Sequence, residues 1–299
     1  MLACGAAGRI ESGAVAWLTA HLDHVHPAGP DGVVRAEALK PFGELAFVLT
    51  LLAERDPDAL SAAEPLFAFV ERTAGSVDWE ALCAFDSRGV IAIATMVRFL
   101  TARGRDVTAW RRRLEQRLRA GDERAIDTAP HRVLELRYLV CDASDHEMRA
   151  ARAVYEDCVA ASHLMPALQS RHDAYAITHA VIYVTRNGSR PASAVLGAAQ
   201  AARLGALLDA WRFASLAEGD LDLLAEILFC DALLARRDPL LERPSLALAR
   251  RSQRPDGALP PRVRLPGHVQ PRTGAEEFAL FYHTTLVWFF ATRLLAASA

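Results

Sequence analysis

The sequence predicts an all-α protein folded as an (α/α)6 toroid, a ring of six helical hairpins with about twelve helices and a pseudo-threefold internal repeat. The first observation is that Glu44, Glu135 and Glu226 are separated by equal intervals of 91 residues (135−44 and 226−135). The second is a further acidic series that interleaves with these glutamates. The third is composition, since good helix formers dominate and no sustained alternation of β-branched residues indicates a strand.

The first and third glutamates begin closely similar apolar phrases. Gly43–Phe47 leads into Leu51–Pro57, and Ala225–Phe229 leads into Leu233–Pro239 with the same spacing. The middle copy, Leu134–Tyr138, keeps the glutamate and the aromatic residue three positions later, but it lacks the Asp-Pro ending. These phrases therefore indicate three copies of one helical unit.

The second series consists of Asp86, Asp173 and Glu277, each six residues before a comparable helix position. Its intervals are 87 and 104 residues. The excess of 17 residues equals the length of the Pro/Gly-rich insertion Gly257–Thr273. Both series therefore describe a single periodicity.

Together the two series predict six inner helices, which begin near residues 40, 86, 131, 173, 220 and 277. Their intervals, mostly about 45 residues, are typical of a helix-turn-helix unit. Six further amphipathic segments alternate with them, at about 10–25, 58–73, 105–119, 147–161, 190–214 and 239–253. Helix starts are expected at Pro41, Pro57, Pro130, Pro191 and Pro239, with N-caps at Asp56 and Asp238 and a capping box at Thr273–Glu276.

Length and composition predict one helical toroid domain over residues 1–299. The chain is 52% hydrophobic, and its net charge of −2 gives no reason to expect nucleic acid. We find no apolar run of the ~18 residues that a membrane span needs. The five cysteines form no Cys-x-x-Cys pair, which favours reduced thiols in a cytoplasmic protein. The oligomeric state stays open.

In a closed ring, equivalent positions of the inner helices face one axis. Aligning the copies places three glutamates and two histidines at about one level, inside the mouth of a cavity. The catalytic candidates are these five residues and two aspartates nearer the mouth: Glu44, Glu135, His179, Glu226, His283, Asp173 and Asp222.

The same alignment predicts an aromatic pocket for a mostly apolar small molecule. The substrate-binding candidates are Phe47, Tyr138, Tyr175, Tyr183, Phe229, Tyr282 and Arg264. Arg264 belongs to the insertion Gly257–Thr273, which directly precedes the His283 helix and could cover the cavity as a lid.

Two chemistries fit this cluster. A zinc or iron site could use His179, His283 and Asp222, or Glu226 as the carboxylate ligand. Alternatively, the same groups could perform acid/base catalysis without a metal, since crowded carboxylates raise one pKa and histidine titrates near neutrality. A structural interpretation also stays open, in which the glutamates pair with arginines such as Arg98, Arg132, Arg137 or Arg186.

The segment Tyr282-His283-Thr284 resembles the Tyr-His-Thr segment on a late inner helix of protein prenyltransferase β subunits. In that family the histidine binds zinc, and the subunits are (α/α)6 toroids related to terpenoid cyclases. Asp220-Leu221-Asp222 stands where the family has an Asp-x-Cys ligand pair, with aspartate in place of cysteine. Gln253–Gly257 resembles the Asp-Gly turns of terpenoid cyclases. The Gln/Trp signature and the Asp-x-Asp-Asp motif are absent, so the resemblance implies architecture only.

The chain is also similar to uncharacterised helical proteins of actinobacteria, which implies no activity. Our leading hypothesis is a cytoplasmic bacterial enzyme of specialised metabolism that cyclises, isomerises or hydrolyses a mostly apolar small molecule. The alternatives are a non-catalytic helical-repeat binding or scaffolding protein, possible if the repeats form an open solenoid, and a carrier that only sequesters a ligand.

Overall fold

The computed structural model describes residues 2–29, 35–55, 61, 63–76, 87–119, 129–141, 145–162, 165–236, 238–265, 271 and 273–297. These residues form fourteen α-helices and two short 3-10 helices, with no strand among them, which confirms the all-α prediction. The α-helices are α1 (Leu2–Ala20), α2 (Leu22–Val25), α3 (Ala36–Arg55), α4 (Glu64–Ser76), α5 (Ser87–Ala102), α6 (Thr108–Arg119), α7 (Pro130–Val140), α8 (Asp145–Glu156), α9 (Arg171–Val184), α10 (Ala192–Leu196), α11 (Ala198–Glu218), α12 (Leu221–Leu233), α13 (Pro239–Ser252) and α14 (Gly274–Ala297).

Six of these helices, α3, α5, α7, α9, α12 and α14, correspond to the six predicted inner helices. Each packs against the next one in this order, and α14 also packs against α3. The remaining helices lie beside them: α1 contacts α13 and α14, α4 contacts α3, α6 contacts α5, α8 contacts α7, and α11 contacts α12. Helices that are distant in sequence therefore share one core.

Helix starts follow the sequence signals at most of the predicted positions. Pro130 and Pro239 occupy first-turn positions of α7 and α13, and the Asp238 side chain accepts a hydrogen bond from Leu240 N at 2.9 Å. Pro41 was predicted at a helix start, but α3 already begins at Ala36 and contains this proline. The Asp56-Pro57 start lies outside the described residues.

Two predicted outer segments are each divided into two helices. The first segment breaks at His21, between α1 and α2. The fifth breaks at Gly197, whose φ of 83° lies in the region that favours glycine. These breaks account for the difference between about twelve predicted helices and the fourteen in the described residues.

Helix α12 is buried along its whole length and lies at the centre of the packing. It contacts α9, α11, α13 and α14. The Trp288 indole of α14 is fully buried and donates a hydrogen bond to Leu221 O at 2.9 Å. Burial of each large apolar side chain contributes roughly 1.5–3 kcal/mol, so this contact fixes α14 firmly beside α12.

Helix α14 also bears on the question of a membrane span. Within the described residues, Gly274–Ala296 is the one helix that is long and apolar enough to cross a membrane, which the search for apolar runs missed. Its most apolar window is 78% buried inside the protein. This burial is typical of a core helix.

The described part of the predicted insertion packs against the start of α12. Pro261 O accepts a hydrogen bond from Leu221 N at 2.9 Å, and Val263 N donates to Gly219 O at 2.9 Å. Residues 266–270 and 272 of the insertion lie outside the described residues. The segment thus begins at the same end of α12 as Asp220 and Asp222.

Candidate functional site

Three predicted residues, Glu44, Glu226 and Asp222, surround the imidazole of His283 with carboxylates. His283 Nδ1 lies 2.9 Å from Asp222 Oδ1, while His283 Nε2 lies 3.9 Å from Glu44 Oε1 and 3.8 Å from Glu226 Oε1. Helices α3, α12 and α14 supply these side chains. We call these four residues the carboxylate–histidine cluster.

Asp222 orients His283, and three side chains donate hydrogen bonds to its carboxylate. Its carboxylate accepts hydrogen bonds from His283 Nδ1, from Thr284 Oγ1 at 2.5 Å and from the Tyr175 hydroxyl. Burial alone would raise the pKa of Asp222, but the His283 charge and these hydrogen bonds lower it well below its ordinary value. Asp222 is therefore ionised, and Nδ1 of His283 carries a proton.

The surrounding carboxylates hold His283 in its protonated form. Burial would lower the pKa of His283, but Asp222, Glu44 and Glu226 together raise it from 6.5 to about 10. The side chains of His283 and Glu44 are still 26% and 27% exposed. A ligand can therefore reach a cationic imidazole and a carboxylate side by side.

Glu226 is the group of the cluster that changes charge near neutral pH. Burial raises its pKa to about 7, with Asp222 contributing and His283 opposing. The Thr178 hydroxyl hydrogen-bonds to Glu226 and also lies 2.9 Å from Tyr175 O. Since a hydroxyl has one hydrogen, Thr178 can donate to ionised Glu226, or accept from protonated Glu226 while donating to Tyr175 O. Both protonation states of Glu226 are thus accommodated.

Glu44 connects the cluster to the exposed side chain of Lys40, one turn earlier on α3. Its carboxylate accepts a hydrogen bond from the Tyr282 hydroxyl at 2.8 Å and lies 3.7 Å from Lys40 Nζ. Burial and the neighbouring Glu44 carboxylate raise the pKa of the Tyr282 phenol far above its ordinary value. Tyr282 is therefore a hydrogen-bond donor that holds Glu44 beside His283.

His179 lies apart from these carboxylates and stacks on other rings. Its ring centroid is 5.6 Å from that of His131 and 6.2 Å from that of Tyr183. Burial, followed by the charge of Arg132, lowers the pKa of His179 well below 6.5, and burial lowers the pKa of His131 to about 4. Both histidines are therefore neutral at pH 7, and His179 Nδ1 is buried without a hydrogen-bond partner among the described residues.

Glu135, predicted as catalytic, pairs with Arg132 at 2.6 Å, which agrees with the structural interpretation of this glutamate. Three of the aromatic residues predicted to bind substrate lie together, while the pocket itself stays a prediction. Phe47, Tyr138 and Tyr183 contact one another, with ring centroids 5.8–6.1 Å apart. We call these three residues the aromatic group.

Three other candidates have different surroundings from those predicted. Asp173 accepts hydrogen bonds from the Ser170 backbone and hydroxyl, and so it forms the capping box of α9. Phe229 is buried against Phe290, with ring centroids 5.3 Å apart, and belongs to the core. Arg264 is exposed. Asp173 thus caps a helix, Phe229 packs in the core and Arg264 faces solvent.

The metal prediction gains no support from this geometry. Among the described residues, no group of three or more His, Cys, Asp or Glu side chains is arranged to hold a metal ion. Asp222, one of the three proposed ligands, has its oxygens occupied by His283, Thr284 and Tyr175. A site for zinc or iron stays a prediction from sequence.

Sequence reasoning missed three polar contacts of the site. Thr178 and Thr284 directly flank the two predicted histidines, so their positions on α9 and α14 were a usable signal. Arg171 forms a bidentate ion pair with Asp220 and has Nη2 3.8 Å from Asp222 Oδ2. Arg171 precedes Tyr175 by four residues, and this i,i+4 spacing places both on one face of α9.

Comparisons with known proteins place the chain in a family. No curated protein and no solved structure matches it significantly. A family model described as a domain of unknown function, DUF6895, matches residues 11–293, which is nearly the whole chain. The chain therefore belongs to the DUF6895 family.

Proposed function

We propose that this chain is an enzyme that performs acid/base chemistry on a mostly apolar small molecule. The reaction class is a cyclisation, isomerisation or hydrolysis, in each of which a proton leaves one atom and another atom receives one. We further propose that the fold is a closed (α/α)6 toroid with a pseudo-threefold repeat. What supports this toroid is the cyclic order in which α3, α5, α7, α9, α12 and α14 pack.

The observation that carries the proposal is the environment of His283. A buried aspartate on Nδ1 and two carboxylates near Nε2 keep the imidazole protonated. One of those carboxylates, Glu226, has a pKa raised to about 7. Titratable groups whose surroundings separate their pKa values in this way are typical of catalytic acid/base pairs.

The roles follow from these protonation states. Ionised Glu226 removes a proton from the substrate, and Thr178 stabilises either form of its carboxyl group. The Nε2–H of His283 stabilises negative charge that develops on a substrate oxygen, or donates its proton there. Asp222 orients the imidazole and raises its pKa, which makes Asp222 a positioning residue.

The substrate class follows from the walls of the site. Phe47, the partly exposed member of the aromatic group, supplies apolar contact area. His179 Nδ1 is buried without a hydrogen-bond partner among the described residues, and we assign a polar group of the substrate as its partner. These features fit a mostly apolar molecule with one or two polar groups.

We expect a cytoplasmic protein of bacterial specialised metabolism that needs neither nucleic acid nor a membrane. The burial of α14 within the protein agrees with this expectation. The alternative functions are a non-catalytic binding or scaffolding protein and a ligand carrier. Neither of them needs the charge states of the cluster. Replacement of the cluster residues therefore separates them from the enzyme.

The test is a turnover screen with an extract of apolar metabolites, read by mass spectrometry. Wild-type protein should consume at least one compound and release a product, and E226Q and H283N should abolish this conversion. E156Q, which changes an exposed glutamate of α8, is the matched control and should behave as the wild type. A compound that all four proteins bind unchanged would contradict catalysis and favour the carrier.

A further inference from the structure

A cavity lies at the C-terminal ends of α3, α5 and α7. Its volume is about 320 Å³, and none of the carboxylate–histidine cluster lines it. The polar groups on its wall are Glu54, Arg98, Thr101, Arg111 and Arg186, and the backbone of Cys141 adjoins them. Three guanidinium groups and one carboxylate give the described wall a formal charge of +2.

The single carboxylate on this wall is already engaged. Glu54 lies 2.8 Å from Arg98 Nη2 and accepts a hydrogen bond from the Tyr138 hydroxyl at 3.1 Å. It therefore neutralises Arg98 but leaves the charges of the other two arginines in place.

Arg111 and Arg186 contact only uncharged acceptors within the described part of the chain. Arg186 Nη2 donates to Cys141 O at 2.9 Å, and Arg111 Nη2 donates to Thr101 Oγ1 at 3.2 Å. Each guanidinium has five N–H donors, so most of its capacity is unused by these bonds. Arg98 Nε is also buried without a hydrogen-bond partner.

The unbalanced charge affects the arginines themselves. Burial, and then the like charges of Arg98 and Arg190, lower the pKa of Arg186 below its ordinary value. Bringing an anion among these groups would relieve the repulsion and use the vacant donors. Arginine is the residue best suited to this, because its planar donor pairs match the oxygens of phosphate and carboxylate.

We propose that this cavity binds the phosphate group of a phosphorylated small molecule. A phosphate monoester carries a charge of about −1.5 to −2 at pH 7, which matches the wall better than the single charge of a carboxylate. Val97, Leu114 and Leu139 complete the wall with apolar surface for the rest of the molecule. The volume lies at the lower end of the range for small-molecule sites, roughly 300–1,000 Å³. This site is independent of the proposed acid/base function.

Calorimetric titration with phenyl phosphate tests the proposal, with benzoate as the matched carboxylate probe. Loss of one charge-assisted hydrogen bond of about 1.5–3 kcal/mol predicts roughly ten- to a hundredfold weaker binding of phenyl phosphate by R111Q and by R186Q. R112Q, the adjacent exposed arginine on α6 that does not line the cavity, should bind as the wild type. Phenyl phosphate should also slow the modification of the half-buried Cys141 thiol, which peptide mapping resolves from the other cysteines.

Three results would overturn the site: no binding of phenyl phosphate at millimolar concentration, equal weakening by R112Q, or binding unchanged in R111Q. Benzoate that binds as tightly as phenyl phosphate would overturn the phosphate assignment. If R186Q fails to fold, R111Q still tests the site. Arg111 is exposed and its hydrogen bond to Thr101 is a surface contact, so R111Q should fold as the wild type does.

Discussion

The replacement of Glu226 by glutamine should stabilise the protein at alkaline pH. Glu226 is buried, and its pKa of about 7 compares with an ordinary value of 4.5. A raised pKa means that the folded protein binds a proton more tightly than the unfolded chain does. The contribution of protonated Glu226 to stability is therefore complete below pH 4.5 and is lost as the pH rises through 7.

The size of the loss follows from the same two pKa values. One pKa unit corresponds to about 1.4 kcal/mol, so the ionised carboxyl costs the folded state about 3 kcal/mol above pH 8. Glutamine has a similar shape, remains neutral and can still hydrogen-bond to Thr178. E226Q should therefore gain about 2–3 kcal/mol relative to the wild type between pH 5 and pH 8.5.

Urea unfolding at pH 5 and pH 8.5, followed by circular dichroism, measures this difference. The exposed variant E156Q should show no such pH-dependent gain, because no buried charge is removed. An E226Q protein that is less stable than the wild type at pH 8.5 would refute the reasoning. That result would mean that Glu226 is ionised at a net benefit, as in an ordinary ion pair with His283.

Three further perturbations have definite expected outcomes. D222N removes the main charge that keeps His283 protonated, so ring NMR should show a neutral His283 at pH 7, whereas the wild-type ring stays protonated to about pH 10. R212A removes the buried partner of Asp231 and leaves it only Arg236, at 3.4 Å, so it should lower the free energy of unfolding by up to about 3–5 kcal/mol, while R212M/D231L should recover most of it. H179F removes a buried nitrogen without a described partner and should raise the free energy of unfolding by about 1 kcal/mol, measured by urea unfolding. A lower free energy of unfolding would instead indicate a structural hydrogen bond at His179.

Much of the helical framework could be predicted because similar apolar phrases recur along the sequence where helices form. The equal spacing of Glu44, Glu135 and Glu226 predicted inner helices whose observed starts lie within a few residues of those expected. The breaks at His21 and Gly197, and the helical turn before Pro41, were missed because they depend on local backbone geometry and packing. The periodicity of a sequence contains no information on local backbone geometry or on packing.

The candidate site was predictable by residue position but not by contact. Glu44, Glu226 and His283 meet because α14 packs against both α3 and α12. The hydrogen bonds of Asp222 were not predictable, since they depend on side-chain directions on three helices. Asp173 shows the opposite case: its place in the acidic series suggested catalysis, whereas its position three residues after Ser170 makes it a helix cap.

The cluster and His179 each contain a feature that a protein selected only for packing would avoid. Glu226 is buried with a pKa near neutrality, and ionising it costs stability. His179 is held neutral with an unsatisfied buried nitrogen, although an apolar ring would pack there at less cost. Most buried polar groups in folded proteins are paired, and exceptions concentrate where a ligand or a reaction completes the interactions. Glu226 lies beside a protonated His283, and His179 lies on α9, which packs against α12. The two features together therefore favour a working site over a structural one, and the pH dependence of E226Q directly measures the stability cost of Glu226.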